Sequence, residues 1–252
     1  MQNGKVEVEI NNGIAEVIFF HPKSNSLPGK LLREIAGKFN ELANNEEAKV
    51  IILKSQGEKT FCAGASFDEL LEIKDFETGK NFFMGFVLLI NAMRKCQKFI
   101  IARIHGKAVG GGVGLAAAAD YTLAVNSASV KLSELALGIG PFVVGPAVER
   151  KIGTSAFSKM SIDYDWYPAQ WAKEKGLFND IYETAEELDA SVSTLANRLA
   201  AGSPEAMKKL KEILWEGTEN WDQLLEKRAE ISGELILSDF SKNYMNNFKE
   251  KK

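Results

Sequence analysis

Residues 106–115, Gly106-Lys107-Ala108-Val109-Gly110-Gly111-Gly112-Val113-Gly114-Leu115, follow the apolar run Phe99-Ile100-Ile101-Ala102-Arg103-Ile104 and lead into alanines that end at Asp120. A buried strand that turns through consecutive glycines into a helix bares the backbone where the helix begins. The first N–H groups of a helix have no partner inside it, and the helix dipole stands behind them, so the turn can hold negative charge. That charge is either a phosphate or a carbonyl oxygen becoming an oxyanion. No lysine follows the glycines as a P-loop requires, which argues against a nucleotide phosphate.

A second turn of this kind spans Thr60-Phe61-Cys62-Ala63-Gly64-Ala65-Ser66-Phe67-Asp68-Glu69-Leu70, again between a strand and a helix. Either turn alone is as well explained by close helix–strand packing. As a pair they can grip one oxygen from two sides, the arrangement that stabilises enolates and tetrahedral intermediates; a donor lost from such a hole typically costs ~2.7–4 kcal/mol.

The elements that must carry these turns read as an α/β layer structure. Val6 to Ile10 and Ile14 to Phe20 form a strand pair about Asn11-Asn12-Gly13. Leu31, Leu32, Ile35, Phe39 and Leu42 recur at helical spacing behind Pro28, and Val50 to Leu53 is a short buried strand. A helix from about Gly79 to Lys95 is apolar on most faces and should be sandwiched within the protein. A strand at Tyr121 to Val125 follows the glycine turn. After Glu186 only helices are predicted: one carrying Leu188, Val192, Leu195 and Leu199, then Pro204 to Trp215 and Trp221 to Leu237, with a fraying basic tail at residues 248–252. No internal repeat is legible.

Composition bounds the partners. The 252 residues carry a net charge of −3, with 45% apolar and 26% charged residues, and no basic stripe suggests nucleic acid. Phe82 to Ile90 is apolar but too short to span a bilayer. Cys62 and Cys96 suit neither a disulfide framework nor a metal site, and no metal is expected. With no secretory signal at the start, the expected compartment is the cytoplasm.

Four motifs in order make the chain resemble the crotonase superfamily, the enoyl-CoA hydratases and isomerases, over essentially its whole length. They are His21-Pro22-Lys23-Ser24-Asn25-Ser26-Leu27, Phe61 to Phe67, His105 to Gly112, and Ser133-Glu134-Leu135-Ala136-Leu137-Gly138-Ile139-Gly140-Pro141. The resemblance implies a crotonase-like spiral of ββα units over residues 1–190, holding the active site, and a C-terminal helical region over 191–252 for assembly into a homotrimer or a dimer of trimers. It implies an acyl-CoA substrate with coenzyme A as part of it and no separate cofactor. Ala65 and Gly111 would supply the oxyanion-hole N–H groups, and Glu134 the acid/base carboxyl. Lys23, Ser24, Ala63, Ser66, Phe67, Asp68, Gly110, Pro141 and Phe142 would line the path of the substrate.

The chain also departs from the family. Gly114 stands where hydratases carry a second glutamate, Ser66 replaces a usual aspartate, and Phe142-Val143-Val144 replaces glycines near the site. One acid at Glu134 fits a Δ3,Δ2-enoyl-CoA isomerase. The likeness of Leu132-Ser133-Glu134 and Gly138-Ile139-Gly140-Pro141 to a hydratase branch favours hydration of a 2-enoyl-CoA, ahead of isomerisation and of a non-catalytic acyl-CoA-binding relative. Asp120 is read as structural, and His21 and His105 as hydrogen-bonded turn residues. Trp215, Trp221, Leu235 and Phe240 would gain from burial between subunits, although the monomer core could also take them.

Overall fold

The computed structural model describes residues 4–250. β1 (Lys5–Asn11) and β2 (Ile14–Phe20) pair antiparallel, with Asn11 opposite Ile14. The two residues between them, Asn12 and Gly13, have φ of 52° and 82°, the left-handed pair that lets a two-residue hairpin follow the strand twist. α1 (Gly29–Ala43) starts behind Pro28 and buries Leu31, Leu32, Ile35, Phe39 and Leu42. β3 (Val50–Ser55) then lies parallel to β2.

From β3 onward one unit repeats. A strand in the large sheet is followed by a short strand in a second sheet and then by helix. The first unit is β3, β4 (Thr60–Cys62), α2 (Phe67–Glu72) and α3 (Phe76–Lys95). The second is β5 (Phe99–Ile104), β6 (Lys107–Val109) and α4 (Gly111–Ala118). The third is β7 (Tyr121–Val125), β8 (Ser129–Lys131), a 3-10 turn at Leu135–Leu137, and α5 (Gly145–Asp163). β9 (Tyr167–Pro168), α6 (Ala169–Glu174) and β10 (Asp180–Tyr182) close the strand-bearing part. The sheets run β1-β2-β3-β5-β7-β10 and β4-β6-β8-β9. This is the expected spiral of ββα units.

Four helices complete the chain: α7 (Ala185–Ala200), α8 (Pro204–Leu214), α9 (Trp221–Leu235) and α10 (Asp239–Glu250). α7 runs unbroken through residue 190 and packs on the large sheet, while α9 lies along α3. α10 lies beyond the last helix predicted from the sequence and runs into the stretch expected to fray, and Lys251 and Lys252 lie outside the described residues. α3 starts earlier than its apolar pattern suggests, because Asp75 and Thr78 form a capping box. As expected it is sandwiched, between α1 and α9, and buries Phe82, Phe83, Phe86, Leu89, Ile90 and Met93.

Asp120 is structural. Its carboxylate accepts from the Ile100 N–H, Lys211 Nζ and Trp215 Nε1, each at 2.8 Å, and ties α8 to the sheet. Trp215 and Trp221 are buried in the chain itself, edge to face at 5.8 Å, so they are not held for a neighbouring subunit. Phe240 and Leu235 remain exposed. His21 is a hydrogen-bonded turn residue, its Nδ1 3.0 Å from Ser26 Oγ. His105 differs from its expectation: it is buried, with neither ring nitrogen hydrogen-bonded. The chain corner it occupies is pressed against the neighbouring loop, where a Cβ on Gly106 would stand 2.3 Å from Lys59 O. Burial, helped by the Arg103 charge, lowers its pKa to about 4.

Candidate active site

β4, β6 and β8 are parallel neighbours, so the segments that leave their carboxyl ends lie side by side: 63–67, 110–111 and 132–134. Outside the carboxyl ends of parallel strands is where α/β folds present backbone groups and loop side chains to a ligand.

The first turn is hung on the loop after β2. Leu27 donates its N–H to Gly64 O at 2.7 Å and accepts from the Ser66 N–H at 3.1 Å. That is one rung of a parallel bridge opposite Ala65, and it leaves the N–H of Ala65 itself pointing away from Leu27. The Ala63 N–H is spent on Ser24 O at 3.1 Å.

The second turn pivots on Gly110, whose φ of 51° and ψ of −113° suit only glycine. Its N–H bonds Lys131 O at 2.8 Å, fixing it to β8. Gly111 is then the first residue of α4, and every residue of that helix is buried. The two turns touch, since a Cβ on Gly64 would meet Val109 O at 2.7 Å and Gly111 N at 3.3 Å.

Glu134 enters from the third segment. Its carboxyl lies against the bare face of Gly110, where a Cβ would come within 2.9 Å of Oε1, and Oε2 is buried without a hydrogen-bond partner. Burial pushes the carboxyl up to about 7, against a smaller downward pull from the backbone N–H groups of Glu134 and Ser133. An acid that titrates near neutrality can both give and take a proton at pH 7.

A cavity of about 360 Å³ opens on these groups. Of the residues expected at the site, Ala63, Ala65, Phe67, Gly110, Gly111, Glu134, Pro141 and Phe142 line it. Lys23, Ser24, Ser66 and Asp68 do not. Lys23 and Asp68 pair with each other at the exposed surface, joining the loop after β2 to α2. Ser66 is buried at the start of α2, and Ser24 contributes its backbone carbonyl. The lining also includes residues not expected from the sequence: Phe83 and Phe86 on α3, Lys131 at the end of β8 and Ser133 just after it, Trp166 before β9, and Ser232 and Tyr244 of the C-terminal helices. Phe86 was legible only as one of many apolar residues on α3, yet its ring lies against Gly111, with Cε1 2.2 Å from where a Cβ would be.

A family model described as enoyl-CoA hydratase/isomerase matches residues 9–252. The chain belongs to this family, within the crotonase superfamily. It is 28% identical over 255 residues to a short-chain-enoyl-CoA hydratase of Clostridium acetobutylicum, covering 100% of this chain and 97% of that one. It is 32% identical over 206 residues to the carnitinyl-CoA dehydratase of Escherichia coli K12, covering 81% and 77%. The crystal structure of an enoyl-CoA hydratase from Bacillus halodurans superposes with a TM-score of 0.89 at 22% identity, over 96% of this chain and 99% of that one, a likeness of fold.

Gly114, the position where the resemblance implies a second glutamate in hydratases, faces Val144. A Cβ there would stand 2.5 Å from Val144 Cγ1 and 2.7 Å from its Cβ. The space a second glutamate would need next to α4 is filled by a buried valine, and Val143 and Val144 form an apolar wall of the cavity. Among the described residues no long apolar helix could cross a membrane.

Proposed function

We propose that the protein hydrates a 2-enoyl-CoA thioester, acting as a hydro-lyase with one carboxyl group. The thioester oxygen sits between the N–H groups of Ala65 and Gly111, with the α4 dipole behind the second. Glu134, as carboxylate, takes a proton from a water whose oxygen bonds C3. The C2–C3 electron pair moves toward the thioester oxygen, giving an enolate held by the two N–H groups. Glu134 then returns the proton to C2, and the product is a 3-hydroxyacyl-CoA. Run backward the same steps dehydrate. Coenzyme A enters as part of the substrate, and the scheme calls on no other cofactor.

The observation that carries this reading is the contact between the Gly64 and Gly111 turns with the Glu134 carboxyl lying against Gly110. Relatives named as a hydratase and a dehydratase support the direction of the chemistry. Coenzyme A would run along the Lys23–Asp68 pair, beside the turn that follows β4.

One observation favours a second reading. With Val144 against Gly114, no second carboxylate orients the water, and a Δ3,Δ2-isomerase needs only Glu134 to carry a proton between C2 and C4. Incubation of 2-enoyl- and 3-enoyl-CoA in heavy water decides between them. Hydration yields 3-hydroxyacyl-CoA with deuterium at C2, whereas isomerisation only moves the double bond.

The assembly we propose is a homotrimer or a dimer of trimers through the C-terminal helices. Its support is the apolar surface those helices leave exposed, including Ile213 at 60% and Phe240 at 63%. A sedimentation measurement giving a monomer would reject it. The buried free thiols of Cys62 and Cys96 are in keeping with a cytoplasmic enzyme.

A further inference from the structure

The loop after β2 carries a buried carboxamide that the proposed chemistry does not use. Asn25 is 3% exposed, and its side chain commits both of its N–H donors and one lone pair. Nδ2 donates to Gln56 O at 2.7 Å and to Thr60 O at 2.9 Å, and Oδ1 accepts from the His21 N–H at 2.9 Å. Gln56 is the first residue after β3 and Thr60 the first of β4, so one amide group joins the two ends of the connection between the sheets. The bond to His21 closes the loop on itself, together with the Asn25 N–H to His21 O at 2.9 Å. Ser24 and Asn25 both hold a left-handed backbone, with φ of 52° and 54°. Residues other than glycine adopt that conformation at a cost, asparagine more readily than most, and here the side-chain bonds keep it in place.

The loop so fixed sets the first turn of the site. Ser24 O takes the Ala63 N–H at 3.1 Å, Leu27 O takes the Ser66 N–H at 3.1 Å, and the Leu27 N–H bonds Gly64 O at 2.7 Å. The Gly64 N–H bonds Cys62 Sγ at 3.4 Å. Between residues 63 and 66, Ala65 alone keeps a backbone N–H with no acceptor among the described residues. The chain on both sides of that free N–H is therefore tied to a loop anchored by Asn25. The same side chain grips Thr60, where the strand leading into the turn begins. An oxyanion donor works only if it is aimed before the charge develops, and a misplacement of about 1 Å can cost about 10²-fold in rate.

We infer that Asn25 is a positioning residue for the oxyanion hole. It does not line the cavity, and it aims the Ala65 N–H by locking residues 21–27 to both ends of the β3–β4 connection. This rests on the acyl-CoA reading above and deepens it at the same site.

The test uses Asn25→Asp, which keeps the acceptor and tolerates the left-handed backbone but loses both donations, and Asn25→Gly, which keeps the backbone alone. Lys211→Met, which breaks a buried ion pair outside the site, is the control for lost stability. One readout is turnover of 2-butenoyl-CoA. The other is the ultraviolet band of the enolate of acetoacetyl-CoA, a 3-ketothioester whose ionisation when bound reports the strength of the hole. In both Asn25 variants kcat should fall about 10- to 10²-fold with KM little changed. The bound enolate should form at a pH higher by about one unit or more, a tenfold loss of preference for the charged oxygen. Lys211→Met, measured below its unfolding transition, should move neither readout, and free CoA should bind every variant alike.

Folded Asn25 variants with the wild-type kcat and the wild-type enolate ionisation overturn the inference and leave the hydratase reading standing. So does a loss that Lys211→Met reproduces, since stability alone would then account for it. A rise in KM and in the CoA dissociation constant at unchanged kcat overturns it as well, because the loop would then serve binding. A wild type that stabilises the enolate but converts no 2-butenoyl-CoA loses the hydratase reading, and the enolate shift in the variants still decides the role of Asn25. A wild type that does neither has no working hole, and both fall. Where Asn25→Asp fails to fold, Asn25→Gly gives the answer.

Discussion

Replacing Glu134 by glutamine removes the one buried acid of the site while keeping its shape, and the consequence for stability depends on pH in a calculable way. Below about pH 4.5 the carboxyl is neutral in the folded and unfolded chain alike, and Glu134 should behave much as glutamine does. Between the ordinary value of 4.5 and its folded value of about 7, the unfolded chain releases the proton first, so the wild type loses stability as pH rises. Above 7 both states are ionised and the penalty is fully present. The interval is about 2.5 pH units at about 1.36 kcal/mol each, which makes about 3 kcal/mol. Urea unfolding at pH 4.5, 6, 7 and 8 should find Glu134→Gln more stable than the wild type by an amount that grows to about 3 kcal/mol at pH 8, with the m-value unchanged. The same variant should lose turnover by at least about 10²-fold while still binding CoA. A stability difference that stays flat across pH would mean the carboxyl is solvated when ionised. Retained turnover would mean another group carries the proton.

Gly114→Ala should destabilise by about 1–3 kcal/mol through its clash with Val144. Adding Val144→Ala should recover part of that loss, and strictly additive unfolding free energies would contradict the contact. Lys211→Met should cost about 3–5 kcal/mol in denaturant unfolding, because Lys211 and Asp120, 3% and 5% exposed, are paired and the aspartate would be stranded; a loss below about 1 kcal/mol would contradict it. Cys62 is fully buried and its thiol is pushed up to about 12, so a disulfide reagent at pH 8 should label it only on unfolding. His105 is held neutral down to about pH 4, so below its ordinary value of 6.5 the unfolded chain gains a proton that the folded chain refuses. Acid should therefore destabilise the wild type through that window more steeply than His105→Asn, and parallel pH curves would dismiss the effect.

The large sheet was legible because its strands are five- to seven-residue apolar or alternating runs over most of its width, bounded by Asn-Gly or by polar loops. The small sheet was not. β4, β6 and β8 have three residues each and β9 has two, too few to display a period against their flanking glycines and lysines, and the three-residue β10 at the edge of the large sheet is hidden in the same way. Their loss from the reading also hid the repeat. The ββα unit recurs three times in space without self-similar sequence, because its conserved feature is the alternation between two sheets rather than any residue type. α10 escaped for a different reason: its apolar residues Phe240, Tyr244 and Met245 are sparse among polar ones, so the helix looks like a soluble tail until it is seen to pack against α2 and the turn at Leu135–Leu137.

At the site, what could be read was backbone chemistry and what could not was adjacency across the chain. Consecutive glycines after a strand announce an exposed helix terminus wherever they fold, so Gly110 and Gly111 were identifiable from neighbours alone. That Glu134 lies against Gly110, more than twenty positions away, depends on β8 pairing with β6 through Lys131 and Val109, and β8 is one of the strands that sequence conceals. Gly114 marks the boundary most clearly. Its lack of a carboxylate is visible in the letters, and a vacancy filled by water would be the natural guess. The structure puts Val144 there instead, arriving from the far side of the 3-10 turn to close the gap. The missing acid and the valine are one feature, because a glutamate at 114 and a valine at 144 cannot share that volume. Restoring a second carboxylate to this fold therefore requires two substitutions, Gly114→Glu together with Val144→Gly, and the single change Gly114→Glu should unfold α4 from the cavity wall rather than add a catalytic group.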